Sequence, residues 1–202
     1  MRIVGGRLKG RALVAPDDGA IRPTSDRVRE AVFNILAHTF QDVPLEGARV
    51  LDLFAGTGAL GLEALSRGAA WCLFVESDAE ARGLIRRNVE ALAATGISKI
   101  FRRDATDLGP AGGMAAFDLV FLDPPYGKGL AGPALASAAA GGWLKPGAVA
   151  IVEERRGSDI AFPVEFELCD ERAYGDTVVL FLRHAPARAG DGPTAVTGTA
   201  ES

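Results

Sequence analysis

Arg49-Val50-Leu51-Asp52-Leu53-Phe54-Ala55-Gly56-Thr57-Gly58-Ala59-Leu60-Gly61 reads as an apolar strand, a glycine turn and the start of a helix. The strand is apolar on both faces, as expected of a parallel strand covered by helices on either side. Gly56, Gly58 and Gly61 match the GxGxxG pattern. A turn without Cβ atoms lets a nucleoside-bearing ligand approach the backbone at the carboxyl edge of the sheet. The pattern is weak alone, because several ligand classes make the same demand.

The same alternation continues outward. Helix is expected over 59–67, ending at Gly68, and over 78–94, ending near Gly96. Strands are expected over 71–76, 99–103, 117–123 and 148–154, with an Ala-rich helix over 130–142. Upstream, Val28, Val32, Ile35 and Leu36 form a core-facing helical stripe, which leaves Arg27, Arg29 and Asn34 towards solvent or substrate. The pattern then changes. Residues 164–172 and 177–183 are strands separated only by Ala173-Tyr174-Gly175-Asp176, so the sheet closes with an antiparallel hairpin. A dinucleotide-binding domain usually continues with βαβ units instead. The expected fold is therefore a Rossmann-like α/β domain of the class I methyltransferase type, with a seven-stranded, mostly parallel sheet.

Successive strand ends carry the candidate cofactor residues. Glu76 closes the second strand, where a carboxylate can accept both hydroxyls of a ribose. Asp104, followed by Ala105, closes the third and can accept from an adenine amino group. Phe54, Gly56, Thr57 and Gly58 form the turn, and Asp52 orients that loop or meets the ligand's amino group. These features suit either NAD or S-adenosyl-L-methionine.

The fourth strand ends in Asp123-Pro124-Pro125-Tyr126. An exocyclic base amine is a poor nucleophile, because its lone pair is conjugated into the ring. Holding its two N–H bonds on the Asp123 carboxylate and the Pro124 carbonyl favours the pyramidal amine that develops during methyl transfer. Paired prolines fix the backbone and have no N–H of their own to satisfy, and Tyr126 offers a face on which an extruded base can stack. This motif leaves adenine N6, guanine N2 and cytosine N4 all open. Cytosine C5 chemistry needs a cysteine nucleophile, and Pro125 stands where one would be. A NAD-dependent oxidoreductase, a DNA adenine-N6 methyltransferase, a glutamine methyltransferase and a non-enzymatic RNA-binding module are the rival readings. An oxidoreductase leaves Asp123 to Tyr126 without a role. A DNA enzyme usually needs an inserted recognition domain, for which there is no room between Asp52 and Asp123.

The chain of 202 residues has net charge −4, yet residues 1–30 carry seven basic and four acidic side chains. An acidic body with a basic front end suits a protein that grips phosphates at one place. Residues 1–20 are expected to form a small basic hairpin extension, 21–184 the catalytic domain and 185–202 a disordered tail. Arg2, Arg7, Lys9, Arg11, Arg22, Thr24 and Arg27 are the candidate RNA contacts. Cys72 and Cys169 lie in strand-like contexts without metal spacing, so two buried thiols and no metal are expected. No apolar run is long enough to span a bilayer and the amino terminus lacks a secretory h-region, which makes a cytoplasmic monomer the default.

Four blocks together resemble a known family: Arg2-Ile3-Val4-Gly5-Gly6 with Gly10-Arg11; Arg22-Pro23-Thr24-Ser25-Asp26-Arg27-Val28-Arg29-Glu30; Phe54 through Ala64; and Asp123 to Tyr126. The resemblance, over roughly residues 2–183, is to the bacterial enzymes that make N2-methylguanine in 16S ribosomal RNA. It implies that Asp123 to Tyr126 hold the guanine amine, Glu76 the ribose of S-adenosylmethionine, and the front extension the RNA, alone or within an assembling small subunit.

Overall fold

The computed structural model describes residues 1–16, 25–158 and 160–185. Arg22, Thr24 and all but the first residue of the expected tail lie outside the described residues. Within these, four α-helices and seven strands follow in the order α1 (Asp26–Thr39), β1 (Arg49–Leu53), α2 (Ala59–Ser66), β2 (Trp71–Val75), α3 (Ala79–Ala91), β3 (Ser98–Phe101), β4 (Phe117–Leu122), α4 (Ala131–Ala140), β5 (Leu144–Arg155), β6 (Phe166–Tyr174) and β7 (Thr177–His184). The sheet order is β3-β2-β1-β4-β5-β7-β6. Pairings from β3 to β5 are parallel, and β7 runs antiparallel to both β5 and β6. This is the expected seven-stranded, mostly parallel Rossmann-like sheet with its terminal hairpin.

Strand alternation sorts the apolar side chains onto two faces. Val50, Cys72, Phe74, Leu119, Phe121, Ile151 and Phe181 face one core, shared with α1, α2 and α3. Leu51, Leu53, Leu73, Val120, Leu122, Ala150 and Leu182 face the other, closed by α4 and Trp143. Register then fixes which residues reach the carboxyl edge together. Val75 pairs with Phe101 and with Leu53, Leu53 with Leu122, and Leu122 with Val152. One step beyond that row stand Glu76, Phe54, Asp123 and Glu153.

α2 packs closely on the sheet, and Gly61 is what permits it. A Cβ there would meet the Phe74 ring at 2.4 Å and the Cys72 sulfur at 2.5 Å. Gly61 N–H donates to Oδ2 of the buried Asp52 side chain at 2.9 Å. The third glycine of the motif therefore serves helix–strand packing, while Gly56 and Gly58 serve the turn with φ of 55° and 78°.

Residues 1–14 fold back as the basic extension, but with little regular pairing. One isolated antiparallel bridge joins Arg2 to Ala12, and a 3₁₀ turn spans Gly6–Leu8. The extension does not stand alone, because Ile3 and Leu13 are buried in the core beside α1 and α2. Gly6 sits at φ +72°, and a Cβ on it would fall 2.0 Å from the Ser66 carbonyl oxygen. No larger residue allows the turn to approach α2 so closely.

Two expectations need correction. Arg29 does not face solvent: it is fully buried, bonded to the Asp26 carboxylate at 2.7 Å and to the Arg2 carbonyl, and paired with buried Glu63. Helical periodicity left it off the apolar stripe; packing of the extension over that flank of α1 covers it. Cys169 is exposed, because β6 is an edge strand whose outer positions face solvent, whereas Cys72 is buried.

Gly61→Ala tests the packing of α2. Overpacking of this kind costs about 1–3 kcal/mol, roughly 2–12 °C in Tm for a domain of this size. A thermal melt unchanged within 1 °C would mean that α2 has room to move away from β2.

Candidate active site

A cleft of about 620 Å³ opens at the carboxyl edge of β1, β2 and β4, where strand order reverses. In open α/β sheets this switch point is where ligands bind. Asp52, Phe54, Gly56, Thr57, Glu76 and Asp104 line one part of it, and Asp123, Pro124, Pro125 and Tyr126 line another. Two expected cofactor residues stand behind the wall instead. Gly58 caps α2 and packs near Phe74 and Ile85, and Ala105 is buried in the α4-side core. Sequence reasoning missed Ser77, Asp78, Ala81, Thr106 and Leu130, which also line the cleft, as do Ala55, Ala59 and Leu60 beside the glycine turn. Each lies within a few residues of a predicted position, but the strand-end rule does not say how far the following loop folds inward.

The loop after β1 is held from three sides. Phe54 is a non-glycine residue at φ 57°, a conformation that costs about 1–3 kcal/mol and persists only where its surroundings enforce it. Gly56 N–H donates to Glu76 Oε2 at 2.9 Å, Ala55 N–H to the Val75 carbonyl at 3.2 Å, and Thr57 C=O accepts from Asn88 Nδ2 at 2.9 Å. Glu76 Oε1 accepts from Asp78 N–H at 2.8 Å. Both Glu76 oxygens are thus oriented by backbone amides, and each keeps a lone pair for a hydroxyl donor. Asp104 Oδ1 accepts from the Thr106 amide and hydroxyl, and the Thr106 hydrogen bonds hold its carboxyl below the usual range.

Asp52 differs from these two. Burial pushes its carboxyl up to about 8, against the Gly61 hydrogen bond that lowers it, and the Glu76 charge adds to the rise. A proton on Asp52 keeps one buried charge out of the cleft floor at neutral pH.

The Asp123-to-Tyr126 turn is tied down at its far end. Tyr126 O–H donates to Glu153 Oε1 at 2.7 Å and lies 3.3 Å from the Thr177 hydroxyl, joining the turn to β5 and β7. Gly127 N–H donates to Glu154 Oε1 at 3.2 Å. Burial of the phenol, opposed by the Thr177 hydrogen bond and reinforced by the Glu153 carboxylate, raises the Tyr126 pKa well above its ordinary value. Tyr126 is therefore a neutral, fixed ring across the working pH range. The Glu153-Glu154 pair ending an otherwise apolar strand was the available signal for this anchor.

The basic extension presents Arg2, Arg7, Lys9 and Arg11 as exposed residues, with Arg27 exposed on α1. Arg2 also pairs with Asp26 at 3.4 Å, and Arg11 donates to the Ala91 carbonyl at the end of α3 at 2.7 Å. His38 is exposed and His184 is buried against Phe166, both away from the cleft. No helix among the described residues is long and apolar enough to cross a membrane.

Comparison with known proteins agrees with this geometry. The family model described as Conserved hypothetical protein 95 matches residues 1–183. The Escherichia coli ribosomal RNA small subunit methyltransferase D is 36% identical over 187 residues, covering 92% of this chain and 91% of the relative. The chain belongs to the ribosomal RNA small subunit methyltransferase D family. The Haemophilus influenzae member is 33% identical over 177 residues, covering 87% and 89%. The solved structure of yhhF from Escherichia coli superposes with a TM-score of 0.77 at 31% identity, covering 93% of this chain and 99% of that one. The protein is a methyltransferase, and these relatives lend no support to an oxidoreductase or a DNA enzyme.

Asp52→Asn tests the buried proton. In the unfolded chain Asp52 ionises near its ordinary value of 3.8, while in the folded protein it holds its proton to about 8. Folded wild type therefore binds more protons between those values and loses stability relative to the variant as pH rises through that window. The Tm of Asp52→Asn minus that of wild type is expected to increase from pH 5 to pH 8. A difference independent of pH would mean that Asp52 is ionised in the fold.

Proposed function

We propose that this methyltransferase transfers the methyl group of S-adenosylmethionine to the exocyclic N2 amine of a guanine in 16S ribosomal RNA. The observation that carries the proposal is the register that sets Glu76, Phe54 and Asp123 side by side on one row at the switch point. A ribose-binding carboxylate and an amine-binding carboxylate then flank the same turn.

The residues present fit S-adenosylmethionine. Glu76 is pre-oriented by two amides and would take the ribose hydroxyls, Asp104 the adenine amino group, and Gly56 and Thr57 would let the methionine portion approach the backbone. A cleft of about 620 Å³ falls within the ordinary range for cofactor sites. When bound, this cofactor supplies a methyl on a sulfonium centre whose departure needs no metal and no strong base.

Asp123 and the Pro124 carbonyl take the catalytic role of accepting the two amine N–H bonds, turning the nitrogen lone pair out of conjugation. Tyr126 stacks on the extruded base, a contact worth about 1–3 kcal/mol, and its anchored hydroxyl keeps the ring from swinging away. Pro125 stiffens the turn between them. The extension supplies phosphate contacts through Arg2, Arg7, Lys9 and Arg11, joined by Arg27; Arg22 and Thr24, outside the described residues, are RNA-contact candidates from sequence alone. Small-subunit ribosomal RNA as substrate is supported by the relatives' names; guanine N2, rather than adenine N6, rests on the family resemblance alone.

Nucleoside mass spectrometry decides the product. Incubation with S-adenosylmethionine and 16S RNA or small-subunit particles from a strain lacking this protein should yield N2-methylguanosine. Asp123→Ala should lower turnover by at least a hundredfold while leaving S-adenosylhomocysteine affinity within a few fold. N6-methyladenosine as product would overturn the base assignment, and full turnover in Asp123→Ala would remove that residue from the chemistry.

The phosphate grip is tested without disturbing the core by Arg7→Ala with Lys9→Ala, since both are exposed whereas deleting the extension removes buried Ile3 and Leu13. For every phosphate that a removed side chain had neutralised, the log–log slope of RNA affinity against salt should fall by about 0.7–0.9. An unchanged slope would place the RNA elsewhere.

A further inference from the structure

Asn88 is an uncharged polar residue at the centre of a junction that neither the cofactor nor the RNA reading uses. It lies on α3, fully buried, and its side chain makes three hydrogen bonds. Oδ1 accepts from the Val14 amide at 2.7 Å, and Nδ2 donates to the Val14 carbonyl at 3.0 Å and to the Thr57 carbonyl at 2.9 Å. Two carbonyls facing one nitrogen and one amide facing the oxygen fix the orientation of the carboxamide. The side chain thus pairs with Val14 as a neighbouring strand would, and with its remaining N–H it holds the cofactor turn. Val14 ends the basic extension; Thr57 sits between Gly56 and Gly58, both at positive φ. A second contact joins the same two segments, the Thr57 hydroxyl reaching the Met1 sulfur at 3.9 Å.

The geometry points to Asn88 as a positioning residue that makes docking of the extension and setting of the cofactor turn a single event, so that RNA binding and S-adenosyl-ligand binding strengthen each other. This rests on the function proposed above. Asn88 lines no part of the cleft and acts only through its two partners. An apolar side chain would fill the same space, but it would leave the Thr57 carbonyl and both Val14 backbone groups unpaired and the two segments independent. Coupling between two sites is reciprocal, and typical values run from about 5-fold to 150-fold in affinity.

The test is the affinity of the full-length protein for unmethylated 16S RNA, measured with and without saturating S-adenosylhomocysteine at one salt concentration. Wild type should bind the RNA about fivefold or more tightly when S-adenosylhomocysteine is present. Asn88→Asp keeps the shape and the acceptor but loses both donors and sets a carboxylate against two carbonyls, so its ratio should fall to near one. Each affinity is referred to the folded fraction of the variant under the same conditions, because S-adenosylhomocysteine also stabilises the folded state. Should Asn88→Asp fail to fold, Asn88→Ser decides, because its short side chain cannot bridge Val14 and Thr57 and it carries no buried charge. A wild-type ratio near one, or a wild-type ratio retained in the deciding variant, overturns the proposal. If wild type shows no coupling yet methylates 16S RNA, the function stands without it; if wild type binds neither S-adenosylhomocysteine nor RNA, both readings fall.

Discussion

The hydrogen bond from Gly61 N–H to Asp52 holds the first turn of α2 against the sheet at the point where strand order reverses. Both ends of the site hang from that helix. Its amino end receives the turn from Phe54 to Gly58, in which Phe54, Gly56 and Gly58 all lie at positive φ. Its carboxyl half receives the extension, through Glu63 accepting from Val4 N–H at 2.8 Å and Ser66 bridging the Gly5 carbonyl and the Leu8 amide at 2.6 and 2.9 Å. Glycine at 61 lets the helix approach, and glycine at 6 lets the extension approach the helix. The same requirement for backbone proximity thus operates on both sides of α2.

The charges buried beside that contact are consistent with a device for registration rather than for stability. Glu63 is fully buried, yet it takes Val4 N–H and the Arg67 guanidinium at 2.7 Å, and lies 3.7 Å from Arg29. Arg29 in turn reaches Asp26 and the Arg2 carbonyl. Removing ions from water is costly, and a buried pair is often no more stabilising than an apolar one of the same shape. What the network adds is a unique way for the extension, α1 and α2 to meet. A shifted extension would leave buried Glu63 and Arg29 each short of a hydrogen-bond partner.

These partnerships explain which parts of the protein were legible in its sequence. Strands β1, β2 and β4 are continuous apolar blocks, and the glycine turn and Asp123 to Tyr126 are local strings, so the fold and the cleft could be placed from nearest neighbours. Arg29 could not, because its burial depends on a segment 27 residues upstream that periodicity in α1 does not encode. Nor could the anchoring of Tyr126, whose partners Glu153 and Thr177 are 27 and 51 residues away and come together only after β5 and β7 pair. Cys169 illustrates the opposite error: an apolar context suggested burial, but its strand lies at the edge of the sheet. Position within the sheet is a property of the whole chain.

The titrating groups in the cleft have distinct assignments, and the differences follow from their neighbours. Asp52 is held neutral by burial, Glu76 is oriented by two amides, Asp104 is committed to Thr106, and Tyr126 is kept from ionising by burial and Glu153. None of these four is arranged as a proton shuttle. That suits a reaction whose methyl donor carries its own leaving group, where the barrier lies in reshaping a conjugated amine rather than in moving a proton. Alkylation makes the nitrogen cationic, and a cationic amine conjugated to a base sheds its proton readily to water. What such a reaction asks of the protein is two fixed acceptors on the N–H bonds and a rigid stacking surface. In the function proposed here, a proline-stiffened turn pinned by its tyrosine to two other strands would provide both without any group of unusual basicity.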